Sequence, residues 1–481
     1  MRMKENLNEA EIIDYLHKVV DNKFVSFILK EMTEIKKLEK SFGIYAETIK
    51  PESIREKMHA KIVGEAIEKG AEKFGASPEV IKTMLKDPYM RKGFAVVIRS
   101  VAEYGITKPQ RLIAPFMIVW DFTKQCNLKC KHCYANAAPY PAKDELSLDE
   151  KLNVVDQLDE AGVAAISFSG GEPLINKDFW KVSKYAFSKG FYLSIATNGT
   201  LISEKVAERL KEVGIRYVEI SLDGPNAEIH DKFRGIKGAF DATIQGIKNA
   251  VAAGLDVGIA TTATKENIDN IPEIIKLARE LKVKRFIVFN FIPTGKGKEI
   301  IKEDLTPEER ENLMKHLYEE WKKGKMQIFS TSPSYARISI TAMEKGMGDK
   351  VSPTHFAEVE IPKEFGGAAK ALTEFIGGCG AGRIYCSIEH NGDIQPCVFM
   401  PIKVGNAVKD GFVNVWKNSK ILNALRDRDA ENYACKGCPF KYVCGGCRAR
   451  AYVYYNDILA PDPGCILMKK DKKISQKLVK R

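Results

Sequence analysis

Cys126, Cys130 and Cys133, spaced Cys-x3-Cys-x2-Cys behind a strand-like segment, form a set of three thiolates. Three thiolates can hold three irons of a [4Fe-4S] cube and leave the fourth without a protein ligand. The chain has eleven cysteines, and the other eight are Cys379, Cys386, Cys397, Cys435, Cys438, Cys444, Cys447 and Cys465. Eight thiolates suffice to close two further cubes completely. The spacing therefore separates one cluster with an open iron, suited to chemistry, from two saturated ones suited to electron transfer.

Two other uses of cysteine compete. A disulfide scaffold is short and secreted, whereas this chain has 481 residues and opens on MRMKENLNEA, which has no apolar signal region. No apolar run approaches the roughly 18 residues that span a bilayer, so a soluble, cytoplasmic protein is expected. A structural zinc is the second competitor, because Cys435-x2-Cys438-x5-Cys444-x2-Cys447 taken alone could supply four thiolates. For the first triad the nearest fourth ligand is His132, placed between two cysteines where simultaneous ligation would be strained.

The elements that must position these residues read as α/β. Residues 1–110 carry helical spacing in Ile12, Ile13, Leu16, Val19 and Val20, then Phe24, Phe27, Ile28 and Met32, and continue helical through 54–73 and 78–104. From 111 to 325 short apolar runs alternate with helical patterns: Phe116 to Asp121, Ala165 to Ser169, Tyr192 to Thr197, Tyr217 to Leu222, Val257 to Thr262 and Phe286 to Phe291. Helix starts are legible at Ser147-x-x-Glu150 and at Thr306-Pro307-Glu308-Glu309. Six such units predict a partial (β/α)6 TIM-like barrel, with chemistry at the strand C-termini. Residues 326–375 read as an irregular linker or lid, 376–468 as a cysteine-rich domain, and 469–481 as a basic tail. That tail carries +6 of the net charge of +12. No aromatic residue interleaves with its lysines, which argues for a solvated terminus rather than a nucleic-acid surface.

The run CNLKCKHCYANA, with Cys126, Cys130 and Cys133, resembles the cluster motif of the radical S-adenosylmethionine (SAM) enzymes, with His132 where that family usually has an aromatic residue. Ser169-Gly170-Gly171-Glu172-Pro173, at the end of the second strand, is similar to the family's GGEP strip. The resemblance implies that the open iron chelates the methionyl amino and carboxylate groups of S-adenosyl-L-methionine. It implies that Gly170, Gly171, Glu172 and Pro173 interact with the methionyl ammonium, and that Ser221 at the fourth strand end also contacts the cofactor. Reductive cleavage would then yield a 5'-deoxyadenosyl radical that abstracts hydrogen from substrate, in an oxidoreductase or lyase type of reaction. Thr197-Asn198-Gly199 lines the cavity or is simply a turn, and His230-Asp231-x-x-Arg234-Gly235 is a family feature or a helix-start salt bridge.

The C-terminal cysteines resemble the SPASM extension of the same superfamily, through Cys379-x12-Gly392-x4-Cys397, Cys435-x2-Cys438-x5-Cys444-x2-Cys447 and Cys465. The last spacing of two departs from the commoner three. The resemblance implies two auxiliary [4Fe-4S] clusters, the nearer on Cys379, Cys386, Cys397 and Cys447 and the outer on Cys435, Cys438, Cys444 and Cys465. Cys386 lies too close to Gly392 to be the motif's first cysteine, and the other reading for it is a buried free thiol. Val398, where anaerobic sulfatase maturases carry an Asp, disfavours that activity. The phrases Gly380-Ala381-Gly382-x-x-Tyr385-Cys386, Pro396-Cys397-x-x-Met400-Pro401 and Leu459-Ala460-Pro461-Asp462-Pro463-Gly464-Cys465 resemble the haem d1 and siroheme-pathway members, which implies a carboxylated tetrapyrrole or similar small molecule. A peptide-modifying maturase whose N-terminal helices bind a leader is the alternative, and an iron-sulfur electron carrier or zinc scaffold the non-enzymatic one. An electron donor such as ferredoxin or flavodoxin is the expected partner, and Lys296, Lys298, Arg383 and Arg448 are candidate partners for substrate carboxylates.

Overall fold

Parallel strands with one face packed under helices and the other turned to a lumen build the centre of the molecule. The computed structural model describes residues 34–72, 77–348, 350–354, 357–360 and 366–470. The apolar stripe from Ile12 to Met32 and most of the basic tail lie outside the described residues. Strands β1 (Met117–Thr123), β2 (Ala165–Gly170), β3 (Tyr192–Thr197), β4 (Ile215–Ser221), β5 (Asp256–Ala263) and β6 (Arg285–Asn290) are parallel neighbours in sequence order. These are the six strands expected from the sequence. In β1, Ile118, Trp120 and Phe122 are fully buried in the main core beneath the helices, whereas Met117 and Val119 face the lumen. The helix at Leu148–Ala161 starts at the expected capping box of Ser147 and Glu150, and that at Pro307–Lys322 at the box of Thr306 and Glu309.

The sheet is longer than six strands. Residues 326–375, expected to be irregular, instead supply β7 (Gln327–Ser330) parallel to β6, a helix at Ser334–Glu344, a hairpin of β8 (Lys350–Thr354) and β9 (Ala357–Glu360), and a helix at Gly366–Ile376. At the other edge β10 (Tyr385–Ile388) pairs parallel to β1, and β11 (Asp393–Gln395) and β12 (Gly405–Asn406) add antiparallel. The cysteine-rich region is thus continuous with the barrel wall.

Helices at Ile35–Tyr45, Ile54–Glu72, Pro78–Leu85 and Pro88–Tyr104 share a small core of Leu38, Phe42, Val63, Ile81, Leu85 and Ala95. The last of them also reaches the main core through Val96 and presents Tyr89, Met90 and Val97 to the lumen. It is tied to the barrel by ion pairs of Asp87 with Arg216 and of Lys92 with Asp159. No helix among the described residues is long and apolar enough to cross a membrane.

Candidate metal centre

The loop after β1 carries the first three cysteines and is held by backbone bonds rather than by a regular element. Cys126 N donates to Ala138 O at 2.7 Å, Lys129 N to Arg234 O at 3.1 Å, and Lys296 N to Cys133 O at 2.9 Å. N–H groups also point at sulfur: Leu128 N lies 3.4 Å from Cys126 Sγ and Ala137 N 3.4 Å from Cys133 Sγ. The Arg234 guanidinium donates to Cys130 Sγ at 3.6 Å while pairing with Asp223 at 2.5 Å. Donors of this kind stabilise sulfur that carries negative charge. Burial pushes the Cys126 thiol up to about 12 and raises Cys130 as well, with Arg234 opposing the shift at Cys130. Such thiols ionise only when a metal draws off the proton.

The GGEP strip folds back against this loop. Gly170 has φ +106°, and a Cβ on Gly171 would stand 2.1 Å from Gln125 O. Gly171 N donates to Thr123 O and Glu172 N to Gln125 O, both at 2.7 Å. The glycines therefore serve the close approach of two backbones. Gly170 and Gly171 line the cavity; Glu172 and Pro173 are buried behind them. The Glu172 carboxylate accepts from Thr197 Oγ1 at 2.8 Å, Asn198 N at 2.8 Å and Leu174 N at 3.2 Å, and burial still holds it up at about 7. Its side chain ties the β2 loop to the β3 loop. Ser221, at the end of β4, lines the same cavity, as do Thr197 and Asn198.

Sequence reasoning left the segment from His230 to Gly235 undecided. In the structure its residues brace the cysteine loop. His230 Nδ1 accepts from Asp223 N at 3.2 Å, Asp231 accepts from Gly238 N and Phe240 N, and Arg234 spans Asp223 and Cys130. His132 is half-buried and stacks on Phe233 with centroids 4.4 Å apart, and desolvation drives its pKa well below the usual value. It fills the position of an aromatic ring.

The remaining cysteines sort into two sets and a singleton by the charges that act on each thiol. Cys397 feels Cys379, and Cys447 feels Cys379 and Cys397. Cys435 feels Cys438, while Cys444 and Cys465 each feel Cys435. Tyr385 Oη donates to Cys397 Sγ at 2.9 Å, Phe399 N to the same sulfur at 3.5 Å, and Gly446 N to Cys444 Sγ at 3.5 Å. The buried Arg448 lies between the sets, 4.0 Å from Cys435 Sγ. Cys386 stands apart from both sets. It pairs in register with Ile118 and is wholly buried in the main apolar core, on the face of β10 opposite Tyr385. Beyond burial, only Arg426 acts on it. Of the sequence-expected ligands it is the one the structure does not bring to its set, and its placement is that of a buried free thiol.

Among the described residues, no three His, Cys, Asp or Glu side chains converge as a single ion requires. All-thiol sets with N–H and guanidinium donors to sulfur suit an iron-sulfur cube. The basic candidates separate as well. Lys298 is exposed, Lys296 Nζ bonds Ala137 O at 2.8 Å, and Arg383 is buried with no acidic partner in the cavity wall.

The comparisons with known proteins bear on the same residues. Residues 120–278 match the family model of the radical SAM superfamily, and residues 379–439 that of the SPASM iron-sulfur cluster-binding domain. The AdoMet-dependent heme synthase of Methanosarcina barkeri is 35% identical over 355 residues, covering 73% of this chain and 97% of that protein. The chain belongs to the radical SAM superfamily. It is also 31% identical to the mycofactocin maturase MftC of Mycolicibacterium smegmatis, over 74% of this chain and 84% of that one. A crystal structure of Streptococcus suis SuiB bound to S-adenosylmethionine shares the fold, with a TM-score of 0.61 at 20% identity over 85% of this chain and 90% of that one. Membership of this superfamily, with its SPASM domain, carries [4Fe-4S] clusters and S-adenosylmethionine as cofactors.

Proposed function

We propose that this radical SAM protein removes hydrogen from a carboxylated, largely apolar small molecule of the tetrapyrrole class. The observation that carries the reading is a single cavity of about 740 Å³ lined by Cys126, Cys130 and Cys133 and also by Cys379, Cys397 and Cys447. When bound at the first three thiolates, the cluster supplies the electron that cleaves S-adenosylmethionine to methionine and the 5'-deoxyadenosyl radical. The chain's own residues do the rest. Gly170, Gly171, Ser221, Thr197 and Asn198 line the wall of the cavity that would hold the cofactor. Tyr89, Tyr192, Phe289, Phe329, Phe375 and Phe399 give the cavity aromatic faces suited to a flat unsaturated ring. Arg383, 1% exposed and lacking an acidic partner among the described residues, supplies positive charge for a carboxylate.

The names of the relatives fit a tetrapyrrole, since an Fe-coproporphyrin III synthase is also 33% identical over 74% of this chain. A second reading, a peptide maturase, is supported by the similarity to the mycofactocin maturase and by a SuiB structure described as bound to its precursor peptide. The experiment incubates anaerobically reconstituted protein with S-adenosylmethionine, a reductant and either iron coproporphyrin or a short precursor peptide, and follows product mass. Loss of carbon dioxide and hydrogen from the porphyrin supports the first reading. A peptide product with an inert porphyrin overturns it.

A further inference from the structure

Strand parity decides how many thiols the nearer auxiliary set has. Tyr385 and Cys386 are consecutive in β10, so their side chains take opposite faces of the sheet. Tyr385 lines the cavity and donates to Cys397 Sγ, so Cys386 points away from Cys379, Cys397 and Cys447 into the apolar core. No other cysteine is left to replace it. Of the eleven, three follow β1, four form the outer set, and Cys386 is sequestered, which leaves three for the nearer set. Asp462, the acid beside Cys447, is engaged elsewhere: it accepts from Cys447 N at 2.8 Å and Gly464 N at 2.9 Å and pairs with Arg450, while Asp121 stands outside the cavity lining and accepts from Tyr134 Oη at 2.9 Å through one oxygen.

Position separates this set from the outer one. Cys379, Cys397 and Cys447 all line the cavity, whereas none of Cys435, Cys438, Cys444 and Cys465 does. Beside Cys379 stands Arg383. Its Nη2 lies 3.4 Å from Cys379 O, and its buried Nε has no hydrogen-bond partner among the described residues. A buried guanidinium without an acid, in a cavity wall, is costly unless an anion meets it.

We infer that the nearer auxiliary cluster is held by only three thiolates, Cys379, Cys397 and Cys447, and offers its fourth iron, with Arg383 beside it, to a carboxylate of the substrate. Two open irons then face one cavity: one for S-adenosylmethionine, the other to anchor the substrate by an acid group. The inference rests on the radical SAM reading above and adds to it the substrate's point of attachment.

The test uses the full chain with Cys126→Ala, Cys130→Ala and Cys133→Ala, which leaves only the auxiliary clusters, reconstituted anaerobically. Iron should be about eight per chain. Ferricyanide takes one electron from a cube with an unliganded iron, which departs as the ferrous ion and leaves a [3Fe-4S] centre. One such centre is expected by paramagnetic resonance, at about one spin per chain. Adding Cys386→Ala should change neither iron content nor signal. Cyanide, as an anionic probe, should shift the signal of one reduced cluster, and Arg383→Gln should weaken its binding about tenfold. About eight irons with no [3Fe-4S] centre, or loss of iron on Cys386→Ala, overturns the inference while the cluster assignment stands. About four irons overturns that assignment as well. Unchanged cyanide affinity in Arg383→Gln removes Arg383 from the site.

Discussion

Glu172 offers a quantitative handle on the loop that positions the first cluster. Its carboxyl is fully buried and stands at about 7 against an ordinary 4.5, with burial as the main cause and the donors Asn198 N, Thr197 Oγ1 and Leu174 N opposing it. A carboxyl raised in the folded state binds its proton more tightly there than in the unfolded chain, so stability falls as pH climbs from the unfolded to the folded value. At 1.36 kcal/mol per pKa unit the whole effect is about 3.4 kcal/mol, of which about 2.5 kcal/mol falls between about pH 5 and about pH 8. Glu172→Gln removes the titration and sets an amide N–H against the Asn198 N–H, a pH-independent loss of about 1–3 kcal/mol. Urea unfolding of the wild-type and Glu172→Gln proteins across that range should give a difference that shrinks by about 2.5 kcal/mol as pH rises. A difference constant to within about 0.5 kcal/mol would refute the reasoning that burial, and not the three donors, governs this side chain.

Gly171→Ala drives a Cβ to 2.1 Å from Gln125 O, and the cysteine loop must move; iron should drop from about twelve to about eight per chain, with the auxiliary signals intact. Arg234→Met strands the fully buried Asp223 carboxylate and strips Cys130 of its donor. The cost should be about 3–5 kcal/mol by denaturation, with a changed resonance spectrum for the first cluster alone; an unaltered spectrum would confine Arg234 to a structural part.

The six barrel strands were legible because each is a run of β-rich apolar residues bounded by helix caps, and the two capping boxes fixed the starts at Ser147 and Thr306. β7 was not, because Gln327–Ser330 is only four residues and gains its identity from pairing with β6. β10 suffered likewise, since its partner β1 lies more than 260 residues earlier. That gap also concealed Cys386. Spacing counts cysteines without saying which face of a strand each occupies, and the register with Ile118 is what turns it away. The burial of Arg383 and Arg234 was not legible, because burial of an arginine depends on what packs over it. For the other ten thiols, short spacings within tight loops leave few alternative groupings.

The central claim is that Cys126, Cys130 and Cys133 carry the cluster that cleaves S-adenosylmethionine. Anaerobic reconstituted protein given S-adenosylmethionine and dithionite should release 5'-deoxyadenosine and methionine in equal amounts, measured by chromatography and mass. The variant with alanine at all three positions should release none above the protein-free control. Sustained 5'-deoxyadenosine formation by that variant would contradict the account.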